Sequence, residues 1–310
     1  MSITQLFPSV ESEHGSSWQL GRIVAELRQS REVTHNVRHK GRLRELPARE
    51  VLSRIVLGLS SALFPTHYGR PDLSDDSIDY FVGYTLHSVL QELVEQVRRG
   101  LLFVHPDADP DDHLLAEESR SITQAFASEL PSIRALLVSD LQSAYQGDPA
   151  ATSISEILLC YPGMTAIIHY RMAHALYRLG APLLARLITD IAHSRTGIDI
   201  HPGARIGPAF FIDHGTGVVI GETTVIGERV RLYQAVTLGA KRFPTDESGQ
   251  LLKGQPRHPI VEDDVVIYAG ATVLGRITIG QGSTIGGNVW LTHSVPPGSN
   301  ITQAQSRLSE

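Results

Sequence analysis

Aliphatic residues recur every six positions along the second half of the chain. Ile200, Ile206 and Ile212, then Ile220, Ile226, Leu232 and Leu238, form one series; Val261, Ile267, Val273, Ile279, Ile285 and Leu291 form another. Glycine follows several of them (Gly207, Gly221, Gly227, Gly239, Gly280, Gly286), and a small or β-branched residue sits two positions before many (Ala204, Thr224, Val230, Ala271, Ser283). One inward side chain in every six predicts a solenoid of very short strands joined by tight turns. Such a coil buries its core only by stacking turn on turn, so residues 197–301 are read as one repeat domain.

The pattern before it is helical. Val51, Leu52, Ile55, Val56, Leu59 and Leu63 share one helical face, which Pro65 ends. Ser74 is the expected N-cap, with Asp75 and Asp76 beside it, of a helix carrying Ile78, Phe81, Val82, Val89, Leu93 and Val97 and stopped by Gly100. Pro131 is expected to open another, whose stripe of Ile133, Leu136, Leu137, Leu141 and Ala144 runs to Gly147. Two more are predicted over 163–179 and 182–195, so a helical domain spans 47–196. Residues 1–46 read as a polar extension, expected to be disordered in part, with a short amphipathic helix over Trp18–Leu27. Residues 302–310 form a brief tail.

Two interruptions break the six-residue register. Two residues are extra between Ile212 and Ile220, in Asp213-His214-Gly215-Thr216-Gly217, and 22 residues separate Leu238 from Val261 where five are expected. The second insertion includes the loop 240–256 and ends in Pro256-Arg257-His258-Pro259. Insertions in a solenoid land on its outside, where they display binding groups without disturbing the core. The plainer alternative is a pair of ordinary surface loops.

Composition narrows the classes. The chain has 310 residues, 42% of them hydrophobic and 19% charged, as in an ordinary globular protein. A net charge of −6 offers no footprint for nucleic acid, and the basic run from Arg38 to Arg44 reads as a solvated face. No apolar run reaches membrane-spanning length, and no secretory signal is visible at the N-terminus. One cysteine, Cys160, excludes an internal disulfide framework and points to a reducing cytoplasm; its neighbours Ile157, Leu158 and Leu159 suggest a small core residue.

The candidate chemistry sits in the insertions. Asp199 and His214 are fifteen residues apart, close to one coil of a three-sided solenoid, which makes them near neighbours on adjacent turns. A histidine oriented by a carboxylate is a general base for a hydroxyl or thiol; the alternative is a surface histidine in a turn. Arg257 with His258 suits a substrate carboxylate, because guanidinium offers a planar fork; the alternative is a loop salt bridge. Asp148-Pro149 opens the segment into the last helices, or is simply a turn.

Several of these elements together resemble serine O-acetyltransferase. They are Asp199-Ile200-His201-Pro202-Gly203-Ala204, Asp213-His214-Gly215-Thr216-Gly217-Val218-Val219-Ile220-Gly221-Glu222-Thr223, Gln234-Ala235-Val236-Thr237-Leu238-Gly239 and Pro256-Arg257-His258-Pro259. Tyr161-Pro162-Gly163, His169-Tyr170-Arg171-Met172-Ala173-His174 and Val295-Pro296-Pro297-Gly298 extend the likeness to roughly 48–300. The resemblance implies an α+β fold with an N-terminal α-helical domain and a left-handed parallel β-helix. That handedness does not follow from the repeat and runs against the usual right-handed crossover. The resemblance also implies roles: His214 as the base toward the serine hydroxyl, Asp199 as its orienter, Arg257 with His258 on the serine carboxylate, and Asp148 with Asp213 on its ammonium.

Acetyl-CoA is implied as co-substrate, with no permanently bound cofactor, its arm lying between neighbouring subunits near Ala269 and Gly287. L-Cysteine is implied as feedback inhibitor, and the assembly as a homotrimer or a hexamer of two trimers. Three features depart from the family pattern. The 240–256 loop is long, the first 45 residues lack a clear counterpart, and the tail ends in Glu310 where sulfhydrylase-docking members end in Ile. A tail-mediated complex with O-acetylserine sulfhydrylase is therefore not expected. The competing readings are a hexapeptide acetyltransferase for a sugar or other small alcohol or amine, a non-catalytic β-helix scaffold, and a zinc β-helix enzyme. The last needs three histidines on facing coil edges. His169 and His174 fall on a predicted helix instead, and His201, His214, His258 and His293 lack the spacing.

Overall fold

The six-residue period becomes a three-sided coil in the computed structural model, which describes residues 18–34, 38–39, 42–43, 45–105, 113–242, 246 and 248–303. The C-terminal tail from residue 304 and the first 17 residues, on which some expectations fall, lie outside the described residues. The chain divides into two compact units, Met1–Glu45 and Leu46–Glu310. The first contains helix α1 (Leu20–Thr34) and the two-residue strands β1 (Arg38–His39) and β2 (Arg42–Leu43), paired antiparallel.

Among the described residues the second unit begins with seven helices: α2 (Arg49–Leu63), α3 (Pro65–Tyr68), α4 (Ile78–Val104), α5 (His113–Gly147), α6 (Ile154–Cys160), α7 (Pro162–Arg178) and α8 (Pro182–Thr196). The apolar stripe on α2 is buried as its spacing requires, at Leu52, Ile55, Val56, Leu59 and Leu63. Four details differ from the expectation. Ser77 and not Ser74 immediately precedes α4; Ser74 opens the turn before it, its carbonyl accepting the N–H groups of Ser77 and Ile78, both at 3.0 Å. Gly100 lies within α4; a Cβ there would stand 2.4 Å from Leu184 Cδ1, so the glycine permits close helix packing and does not stop the helix. Pro131 lies inside α5, which starts eighteen residues earlier, because Leu115, Ile122 and Phe126 extend the buried stripe upstream. Cys160 is exposed, since it ends α6 with Ile157 and Leu158 turned to the core in its place.

Gly197 closes α8 in the left-handed conformation at φ 69°, and the coil begins. Its first face stacks β3 (Asp199–Ile200), β6 (Val219–Ile220), β9 (Thr237–Gly239), β12 (Thr272–Leu274) and β15 (Trp290–Leu291). The second stacks β4 (Arg205–Ile206), β7 (Val225–Ile226), β10 (Ile260–Val261) and β13 (Thr278–Ile279). The third stacks β5 (Phe211–Ile212), β8 (Arg231–Leu232), β11 (Val266–Ile267), β14 (Thr284–Ile285) and β16 (Asn300–Ile301). All pairings between coils are parallel and in register, so each aliphatic position sits on its repeat neighbour: Ile200 on Ile220, Ile206 on Ile226, Ile212 on Leu232. This is the left-handed parallel β-helix.

The helices are keyed to the first coil by buried polar bonds. Arg171 on α7 donates to both Asp140 oxygens (3.0 and 2.9 Å) and to the carbonyls of Ile206 (2.6 Å) and Gly207 (2.7 Å). Asp140 on α5 also accepts the Phe210 N–H at 2.9 Å. Burial pushes the Asp140 carboxyl upward and Arg171 pulls it down; all three groups on its oxygens are donors, which suits the carboxylate. A single hydrophobic cluster runs from α2 through Phe210 and Phe211 to Val295, so the helical and repeat segments share one core.

Candidate active site

The two interruptions of the repeat project from different edges of the coil. His214 stands between β5 and β6, where the third face turns into the first. Its φ is +57°, but Ala209, Arg229, Ala235, Asp264 and Asn288 share that conformation at other turns, so this backbone belongs to the fold and is not strain reserved for the histidine. The His214 side chain is 72% exposed, and its Nδ1 lies 3.9 Å from Asp213 Oδ1.

Asp148, just past the end of α5, reaches the same edge. Its Oδ1 accepts the Ala150 N–H at 2.8 Å and its Oδ2 accepts the Tyr161 hydroxyl at 2.6 Å. The Tyr161 hydrogen bond, the Ala150 N–H and the nearby charges of His214 and Arg231 hold its carboxyl below the usual carboxylate range, against a smaller desolvation effect. The same hydrogen bond pushes the Tyr161 phenol up to about 12, so it stays a neutral donor. Asp148, Asp213 and His214 therefore come together from segments far apart in sequence.

Asp199 does not touch His214 in the single chain. It starts β3 and pairs with Val219 on the next coil, five residues past the histidine. Among the described residues no hydrogen bond or ion pair joins the two; the carboxylate beside the ring is that of Asp213. The spacing of fifteen falls three short of the eighteen of an uninterrupted coil, such as Val219 to Thr237, and the two inserted residues widen the offset to five.

Arg257 and His258 occupy the edge between the first and second faces, just before β10. Thr223 organises them. Its hydroxyl accepts the N–H groups of Arg257 (2.9 Å) and His258 (3.1 Å) and lies 2.9 Å from His258 Nδ1, while its own N–H donates to that nitrogen at 3.1 Å. A backbone N–H can only donate, so Nδ1 is the bare acceptor and the neutral ring carries its proton on Nε2. Burial first, and then the Arg257 charge, lowers the His258 pKa to about 4, which keeps the ring neutral. Gly221 makes room for it: a Cβ there would stand 2.0 Å from His258 Cδ2. Arg257 donates to Glu222 Oε2 at 2.7 Å. Burial pushes Glu222 up, but the hydrogen bond and charge of Arg257 bring it below its ordinary value. Arg276 pins the segment through the carbonyls of Thr223 (2.6 Å) and His258 (3.0 Å).

Ala269 and Gly287 lie on the same edge as His214, on later coils. The Asn288 N–H donates to the Ala269 carbonyl at 2.9 Å, and a Cβ on Gly287 would come within 3.2 Å of that oxygen. Tyr233 and Tyr268 stack on this edge with centroids 5.0 Å apart. Sequence reasoning gave no role to Tyr161, Glu222 or Thr223. All three stood in quoted motifs, but the Tyr161 bond crosses 13 positions and those of Glu222 and Thr223 to Arg257 and His258 cross 34 or 35, with no local signal. Among the described residues no three His, Cys, Asp or Glu side chains are grouped to hold a metal ion, and no helix is long and apolar enough to cross a membrane.

Stacked six-residue turns with a histidine on one edge and an arginine–histidine pair on another define a hexapeptide-repeat transferase, and residues 258–293 match the family described as bacterial transferase hexapeptide (six repeats). A curated serine acetyltransferase, plasmid form, from Synechococcus elongatus is 59% identical over 306 residues, covering 96% of this chain and 95% of its own. That alignment takes in most of the first 45 residues, so the extension does have a counterpart. The solved serine acetyltransferase 1 of Entamoeba histolytica, in complex with L-cysteine, has a TM-score of 0.70 at 35% identity, covering 91% of this chain and 97% of that one. A serine acetyltransferase from Brucella abortus in complex with coenzyme A has a TM-score of 0.52 at 28% identity, covering 79% and 90%. The chain belongs to the serine acetyltransferase family.

Proposed function

We propose that the enzyme transfers the acetyl group of acetyl-CoA to the hydroxyl of L-serine at a site composed of two edges from neighbouring subunits. The product, O-acetyl-L-serine, serves cysteine biosynthesis in the cytoplasm. His214 takes the hydroxyl proton as the serine oxygen attacks the thioester carbonyl. The tetrahedral intermediate then expels the CoA thiolate, which recovers that proton from the imidazolium. Arg257 and the Nε2–H of His258 receive the serine carboxylate. Asp148 and Asp213 receive its ammonium. Asp199 orients His214, as in the family pattern, although Asp213 is the nearer carboxylate here. The CoA arm lies along the edge of Ala269 and Gly287.

The observation that carries this reading is the placement of His214 and Arg257 on different edges of one coil. A threefold ring of copies sets the first edge of one subunit against the second edge of the next. The assembly is accordingly a homotrimer, alone or paired into a hexamer. Complementation tests it. Chains carrying His214→Ala and chains carrying Arg257→Ala are co-expressed with different tags, and mixed trimers are assayed at low serine. Random mixing restores intact pairs at about a quarter of the sites when the site spans subunits. No recovery above the parental variants would place both groups in one chain's site.

Arg257→Ala by itself should raise the serine KM far more than the acetyl-CoA KM, because it removes a charge-assisted pair with the acceptor carboxylate. Equal rises in steady-state assays would make Arg257 a support for its loop. L-Cysteine carries the same ammonium and carboxylate as serine, so it should inhibit competitively against serine. Inhibition that saturating serine leaves untouched would indicate a separate site.

A further inference from the structure

Tyr161 is not among the groups assigned above. It caps the start of α7, with its ring packed against the core and its hydroxyl on Asp148 Oδ2 at 2.6 Å. The Ala150 N–H holds the other oxygen at 2.8 Å. With one donor on each oxygen, the carboxylate plane of Asp148 is fixed, although Asp148 lies in a turn between helices where it would otherwise rotate. Each oxygen keeps a lone pair for a further donor.

We infer that Tyr161 is a positioning residue for the amino-acid acceptor: its hydroxyl clamps Asp148 in the orientation that receives the substrate ammonium. This rests on the assignment of Asp148 to that ammonium. A tyrosine suits the task because it orients the carboxylate without neutralising it. A lysine or arginine in its place would cancel the negative charge that attracts the ammonium. The charged surroundings are Asp213 and Glu156, which act on the phenol, and His214 and Arg231, which act on Asp148. Losing the phenol donor removes the largest influence that holds Asp148 low. The acid limb of serine binding, read as serine KM against pH and so separate from the His214 base that governs kcat/KM, should therefore move to higher pH in Tyr161→Phe.

The test is a double-mutant cycle on the full-length enzyme with Tyr161→Phe, Asp148→Asn and the double variant, measuring kcat, both KM values and the pH profile. A hydrogen bond to a charged group is being removed one step from the substrate, so Tyr161→Phe should raise the serine KM about tenfold while kcat and the acetyl-CoA KM stay within about twofold. In the Asp148→Asn background it should add nothing and leave the acid limb where it was. Circular dichroism and thermal melting confirm that the near-isosteric variant folds. An unmoved serine KM in Tyr161→Phe, a rise in both KM values, or the same loss in the Asp148→Asn background overturns the inference and leaves the role of Asp148 intact. If Asp148→Asn itself leaves the serine KM unchanged, the assignment of the ammonium fails, and the inference falls with it.

Discussion

Replacing His214 by alanine should lower turnover by about 10²–10⁴-fold, the range for removing a general base, with little change in thermal stability. The ring is 72% exposed and keeps only a 3.9 Å approach to Asp213, so the folded state loses almost nothing with it. The loss should therefore appear in kcat, with the oligomer and the melting temperature retained. Two companion variants separate the neighbouring carboxylates. Asp199→Asn reduces kcat if that residue orients the ring once subunits assemble. Asp213→Asn acts mainly on the serine KM if its part is to hold the ammonium. A His214→Ala enzyme with near-normal turnover would sink the mechanism.

Asp140→Ala should cost about 3–5 kcal/mol of stability, because it strands the Arg171 guanidinium without its counter-ion. The two side chains are 0% and 4% exposed, so water cannot replace the lost partner. The Phe210 N–H loses its acceptor as well, and the junction between α5, α7 and the first coil loosens. Chemical denaturation at fixed protein concentration measures it, since assembly also contributes to apparent stability. Arg70→Ala is the control: its pair with Asp72 has side chains 67% and 63% exposed, and water and salt screen so exposed a pair that its loss should leave the midpoint almost unmoved. Equal midpoints for Asp140→Ala and the unaltered enzyme would show that the buried pair does not hold the helices to the coil.

The β-helix was legible because its signal is local and redundant. Ile200, Ile220 and Leu238 sit on one another, and each names its place by a spacing of six that every coil repeats. The exposed turns followed from the same arithmetic, since a residue that breaks the register has nowhere to go but outward. The stripe on α2 and the extents of α7 and α8 were equally readable. Boundaries were less so: Gly100 and Pro131, ordinary stop and start signals, lie within helices because Leu184 needs the space beside one and the stripe of α5 runs past the other.

His214, Arg257 and Asp148 stood out as chemistry in the sequence, but not as a constellation. Spacing suggested that Asp199 faces His214; the pairing of Asp199 with Val219 offsets them, and Asp213 is the carboxylate beside the ring. The clamp of Tyr161 on Asp148, the seating of His258 by Thr223 and the hold of Glu222 on Arg257 all span at least thirteen positions. Periodicity reports which side of an element a residue occupies, so the sequence by itself determined the coil, its outward loops and the residues displayed there. Which of those residues meet depends on the turn at which each strand leaves its face and on the docking of helices from a distant segment. Those are long-range contacts, and only the tertiary structure decided them.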